Sequence, residues 1–234
     1  NNLGDKAKQA RWDRWHVCSL CEQGYHGPVF CALGWACWKT YVGRPETDAV
    51  RMSAMTTLGN GLAVVNHHEE ALNVKEAELS MLQRLGAEEI NIVMIKANIA
   101  FSYECLKRHE EALALRREMY ARAVALKFRS EEIIVFVNNL AISLKMTGRY
   151  AEAKCFLRER IAEGFHRTLS VDHVQVMKLR GNYAGSLCDD HCASRDDIAE
   201  AMSTFEELSS RTRRVLGTAH PFSKTIQQNL QVAR

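Results

Sequence analysis

From residue 57 onward, small and apolar residues recur in a register that returns about every 41 residues. The stretches NHHEEALNVKEAEL (66–79), KRHEEALALRREMY (107–120) and GRYAEAKCFLRERI (148–161) place Ala71, Ala112 and Ala153 at intervals of 41 residues. Fourteen residues before each alanine a second element begins: TLGNGL (57–62), NIAFSY (98–103) and NLAISL (139–144). A fourth copy, NYAGSL (182–187), arrives 43 residues after Asn139, and NLQVAR closes the chain as a partial one. Apolar side chains at i, i+3 and i+4, such as Ile99, Tyr103 and Leu106, or Leu140 and Leu144 with Met146 nearby, predict helices with one buried seam. Small residues at Gly59, Ala100, Ala141 and Ala184, and at Ala71, Ala112, Ala153 and Ala201, fall where two helix backbones could approach closely. Only three prolines occur, Pro28, Pro45 and Pro221, and strand signals are nearly absent.

Each repeat therefore reads as a helical hairpin that cannot bury its apolar face alone and is completed by its stacked neighbours. In MTGRY (146–150), Gly148 stands where a helix end favours a left-handed residue. The expected organisation is a Cys- and Trp-rich degenerate hairpin over 1–47, then an array over 48–234. The array holds about four repeats, near 50–90, 91–130, 131–173 and 174–218, with a partial C-terminal helix over 219–234.

RRVLGTAHPFSKTIQQNL (213–230), together with NNLA (138–141) and GRYAEA (148–153), resembles the longer, roughly forty-two-residue tetratricopeptide repeats of kinesin-light-chain type. That family links repeats through a Leu-Gly-x-x-His-Pro turn. Here Leu216 and Gly217 would end one helix, and Pro221 would occupy the first turn of the next, where its missing N–H is not needed. The resemblance covers about residues 50–234. It departs from the family at LGAEEINIV (85–93), which lacks His-Pro, at KFRSEEIIV (127–135), which also lacks Leu-Gly, and at the extra residues of CDDHCASRDD (188–197). It implies an all-α fold, a right-handed α-α superhelical solenoid of helical hairpins, with the first helix of each hairpin lining a concave groove.

The N-terminal segment WHVCSLCEQGYHGPVFCALGWAC (15–37) raises a separate question. Cys18 and Cys21, followed by His26 and Cys31, supply thiolate and imidazole ligands of the type that structural zinc prefers. Against this, the second pair is spread out and Cys31 sits inside an apolar helical pattern. The other reading is a degenerate hairpin with packed thiols. Trp12, Trp15 and Cys18 would share one face of its first helix, and Leu33, Cys37 and Tyr41 one face of its second. The segment also resembles a stretch that precedes such repeats in predicted proteins of marine microalgae. Cys188, His191 and Cys192, with Asp189 and Asp190, form a weaker second ligand set in the inserted loop.

Composition narrows the function classes. With 47% apolar and 25% charged residues, the 234-residue chain has the balance of a globular protein. The net charge is +3, from 31 basic and 28 acidic side chains, with no basic run to track a phosphate backbone, so nucleic acid is not an expected partner. No apolar stretch approaches the roughly 20 residues that span a bilayer, so neither is a membrane, and a cytoplasmic location is the expectation. Eight scattered cysteines read as reduced thiols.

No phosphate loop, nucleophile elbow or metalloprotease pattern appears. His67, His68, His109 and His166 fall at helix ends, where they would cap or face solvent, and His220 in the turn reads as structural. The acidic pairs Glu69–Glu70, Glu110–Glu111 and Glu131–Glu132 open helices, where negative charge complements the dipole. The chain is expected to be no enzyme and to need no cofactor unless zinc binds. Its partner would be a protein or peptide, with the chain monomeric or weakly self-associating through its end repeats.

Resemblance to peptide-binding members of the family points to a recurring groove asparagine, here Asn98, Asn139 and Asn182. Its amide could pair with an extended peptide backbone or tie neighbouring helices together. Asn60, Phe101, Glu104, Asn138, Lys145 and Lys178 should face the same groove. The leading expectation is a non-catalytic scaffold that binds a peptide or partner protein there. The alternative is a zinc-dependent adaptor, or a fragment of a larger ligase-like protein, working through the N-terminal Cys/His element.

Overall fold

The computed structural model describes residues 12–164 and 169–233. Among the described residues there are ten helices and no strand. They are α1 (Gly27–Tyr41), α2 (Ala49–Val64), α3 (His68–Arg84), α4 (Glu89–Cys105), α5 (His109–Ala125), α6 (Ser130–Met146), α7 (Tyr150–Ala162), α8 (Val174–Cys188), α9 (Arg195–Leu216) and α10 (Pro221–Ala233). Two compact units divide the chain, residues 1–108 and 109–234.

The turns show why the helices stop where they do. Asn66, Lys107 and Gly148 each take a left-handed conformation just after a helix, at φ of 63°, 62° and 74°. They stand 41 residues apart. Gly86 and Lys127 do the same at the other end of the hairpins, with φ of 62° and 55°. This conformation lets the peptide N–H groups after the helix fold back onto its last carbonyls. Arg108 N–H, for example, reaches the Tyr103 carbonyl at 2.9 Å. Glycine adopts it freely, whereas lysine does so at a cost of about 1–2 kcal/mol.

Helix starts are fixed by side chains. Asp48 accepts from Val50 N–H at 2.8 Å, and Ser194 and Asp197 cap α9 reciprocally. His220 Nδ1 accepts from Phe222 N–H at 3.1 Å while Pro221 opens α10, so the His-Pro pair is a capping device. His67 is exposed at the start of α3. His68 and His109 are half-buried, each with a buried Nδ1 that has no partner, so neither caps as expected. His166 lies outside the described residues.

In the first unit α1 packs on α2 with two glycines at the contact. A Cβ on Gly61 would stand 3.0 Å from the Cys31 Cα, and one on Gly34 would stand 3.1 Å from the Thr57 carbonyl oxygen. Trp15, Cys37 and Ala54 form the buried centre above this contact, flanked by Trp12, Leu33, Trp38 and Tyr41. Burial pushes the Cys37 thiol up to about 11, as expected of a packed cysteine. Leu58, Leu62 and Ala71 continue the core, with Cys31 packed against them.

In the second unit a larger core gathers Ile134, Val137, Leu157, Met177, Phe205 and Ile226 from five helices, and these six side chains are closed to solvent. All the small residues singled out by the repeat register, from Gly59 and Ala71 to Ala184 and Ala201, are buried. One seam assignment fails: Met146 is exposed at the end of α6, while Leu140 and Leu144 are buried.

Two stability predictions follow from these geometries. Gly61→Ala would ordinarily stabilise a helix interior by about 0.5–1 kcal/mol. Here it should lower the unfolding free energy in urea by roughly 1–3 kcal/mol, because backbone must move to admit the methyl group. A gain would show that α1 yields freely. Lys127→Gly should raise stability by about 1 kcal/mol in the same assay, and an unchanged midpoint would mean that the lysine conformation is unstrained.

Candidate functional site

The residues expected in the groove fall on α2 and α4 in the first unit and on α6 and α8 in the second. In the first unit α4 turns Phe101 and Met94, 50% and 52% exposed, away from the core, with Ile90 further along the same helix. Asn60 is exposed on α2. Glu104 is half-buried. Asn98 is half-buried, and its carbonyl accepts from Lys75 Nζ at 3.3 Å.

Below them lies a cavity of about 330 Å³ bounded by Met52 and Thr56 of α2, Glu78 and Leu82 of α3, and Met94 and Asn98 of α4. Glu78 is 5% exposed. Its Oε1 accepts from Thr56 Oγ1 at 2.5 Å, and its Oε2 is buried with no hydrogen-bond partner. Desolvation pushes this carboxyl up to about 7, against the opposing hydrogen bond from Thr56 and the charge of Lys75. Lys75 is buried on the same helix and donates to Ser102 Oγ at 2.9 Å. Burial pulls its ammonium below the ordinary lysine value.

In the second unit Ile142 and Val135 of α6 are exposed, each 41 residues beyond Phe101 and Met94 respectively. Asn138 departs from the groove expectation: it is 4% exposed and its amide is spent inside the fold. Its Nδ2 donates to the Gln175 carbonyl at 3.1 Å, and its Oδ1 accepts from Asn182 Nδ2 at 3.0 Å. These amides tie α6 to α8, because an unpaired amide at that depth would be costly. Asn139, one residue on, is half-buried, as is Lys178. Lys145 pairs with Asp189 at 2.8 Å.

The N-terminal cysteines do not form the expected helix face. The chain turns after Trp12, and Val17 and Gly24 make an isolated antiparallel bridge, so Cys18 and Cys21 sit in the loop that the bridge closes. Backbone N–H groups of Cys21 and Leu20 hold the Cys18 thiol below its ordinary value. Cys31 instead packs in α1 against α2. Among the described residues no three His, Cys, Asp or Glu side chains gather where they could hold a metal ion. No three of Cys18, Cys21, His26 and Cys31 come together in this way, and neither do Cys188, His191 and Cys192. Also among the described residues, no helix is long and apolar enough to cross a membrane.

No family model and no curated protein matches the chain. Solved structures do. The kinesin-light-chain TPR-like repeats of Podosopora anserina superpose with a TM-score of 0.62 at 17% identity, over 80% of this chain and 85% of theirs. BtubC (BKLC) from P. vanneervenii gives 0.70 at 14% identity, over 87% of this chain and 81% of its own. The fold is a kinesin-light-chain-like array of tetratricopeptide repeats. A Rap protein complexed with competence and sporulation factor shares this fold at a TM-score of 0.56 and 16% identity, over 88% of this chain and 60% of its own.

Within the TPR array, register would have flagged what residue type hid. Met94, Val135 and Ile142 were missed as surface groups, although each lies one repeat from an expected groove residue or from another of the three. Glu78 was missed as well, and it gives the site a pH signature. Its folded value lies above the ordinary 4.5, so the folded protein holds a proton that the unfolded chain releases between about pH 4.5 and 7. Stability from this group is therefore fully present below about pH 4.5 and is lost as the pH rises to about 7. Glu78→Gln should raise the unfolding free energy at pH 8 by an amount on the order of 2–3 kcal/mol, with little change at pH 4.5. Equal effects at both pH values would show that the carboxyl is ionised throughout.

Proposed function

We propose that the chain is a non-catalytic scaffold that binds a peptide segment of a partner protein on its first-helix faces. The observation that carries this reading is the exposure of large apolar side chains at matching register on successive first helices, Met94 and Phe101 on α4 and Val135 and Ile142 on α6. Exposed apolar groups seven residues apart on one helix face, beside an amide, mark interaction surfaces more often than single scattered ones. Asn98 and Asn139, one repeat apart on the same two helices, add groups that can pair with a peptide backbone. A tetratricopeptide-type fold solved in complex with a competence and sporulation factor supports the same use of such a fold.

The test is a selection of phage-displayed peptides on the whole chain, followed by affinity measurement on Phe101→Ala. Half-exposed Phe101 can be truncated without opening the core. Its loss should weaken the selected peptides at least tenfold, about 1.4 kcal/mol, as expected of an aromatic anchor. Unchanged affinity would place binding elsewhere and contradict the proposal.

A further inference from the structure

The cavity between α2, α3 and α4 contains a group that the fold leaves unfinished. Glu78 is buried in the second helix of its hairpin, at a register where the next hairpin, 41 residues on, carries the buried apolar residue Met119. A buried carboxylate oxygen without a donor costs more than an apolar side chain of similar size. Neighbouring groups relieve it only in part. Thr56 occupies Oε1, and Lys75 directs two of its hydrogens at Ser102 Oγ and the Asn98 carbonyl. Oε2 remains unpaired, on a side chain that lines a cavity whose other surfaces include Met52, Leu82, Met94 and Ile95.

We infer that this cavity receives a lysine side chain from the bound peptide, with its methylenes between those apolar residues and its ammonium on Glu78 Oε2. The inference deepens the peptide-binding proposal above and rests on it. Lysine fits better than arginine for a geometric reason. A guanidinium binds best when both carboxylate oxygens are free to accept its fork, and here one is already taken, whereas a compact ammonium needs only one. A volume of about 330 Å³ accommodates one long side chain, and the unbranched stem of lysine finds apolar walls along its length.

The ammonium would favour the ionised carboxylate, so binding should release a proton near neutral pH. The charged group facing Glu78 is Lys75, from the same helix. None of the α2 and α4 residues lining the cavity is titratable. Affinity for a lysine peptide should accordingly rise from pH 6 to 8.

The experiment selects from a pool of random nine-residue synthetic peptides with blocked termini, using the whole chain and its Glu78→Gln variant. Glutamine keeps the size of the side chain and an acceptor for Thr56, and circular dichroism verifies that the variant is folded. The expected result is a lysine preference at one peptide position on the unaltered chain. Exchanging that lysine for norleucine should weaken binding at least tenfold, Glu78→Gln should do the same, and the pH dependence should vanish in the variant. Selected peptides without lysine preference, or peptides indifferent to both exchanges, overturn the lysine inference. If those peptides still weaken on Phe101→Ala, the peptide-binding reading survives. A preference for arginine rejects lysine in favour of a guanidinium. No selected peptide at all overturns both readings.

Discussion

Close backbone approach between helices is the constraint on which the rest of this molecule depends. Helices joined by turns of a few residues must cross with little between them, and residues without bulk at the crossing make that distance available. Ala71, Ala100, Ala112, Ala141, Ala153, Ala184 and Ala201 are all closed to solvent, and Gly34 and Gly61 bring α1 and α2 nearer still. With crossings filled by small side chains, Leu113, Leu157, Met177 and Phe205 pack to either side and supply the apolar burial that stabilises each unit. Beside those crossings Met94 and Phe101 on α4, and Val135 and Ile142 on α6, are left exposed.

Polar groups inside the two units behave in opposite ways. In the second unit Asn138, Gln175 and Asn182 satisfy one another and bind α6 to α8, so their burial adds specificity to helix pairing. In the first unit Glu78 is satisfied on one oxygen only, and its raised proton affinity measures the cost. A tie between helices and a receptor for a ligand thus use the same chemistry and differ in whether the last hydrogen-bonding position is filled.

Much of the helical architecture was legible because the repeat announces itself through residues with strong backbone consequences. Gly148 and the alanines report turns and crossings directly, and His-Pro at 220–221 reports a helix start. Other features depended on packing that no local pattern encodes. Cys18 reads as part of a helical face until the Val17–Gly24 bridge turns the chain away from it. Asn138 and Asn139 are indistinguishable in sequence, yet one step of about 100° around a helix takes the amide from the interior to a half-exposed position. Glu78, within KEAELS, resembles any solvated helix acid, and only comparison with Met119 one repeat later hints that its position is internal.

Methionines provide direct reporters of where a partner sits. Met52 and Met94 line the first-unit cavity, Met119 and Met177 are buried in the second unit, and Met202 is half-buried on α9, a second helix. The decisive measurement is the methyl spectrum of 13C-methionine-labelled protein with and without a selected peptide. The account predicts that Met52 and Met94 shift while Met202 stays in place. A shift of Met202 with Met52 and Met94 unmoved would contradict it.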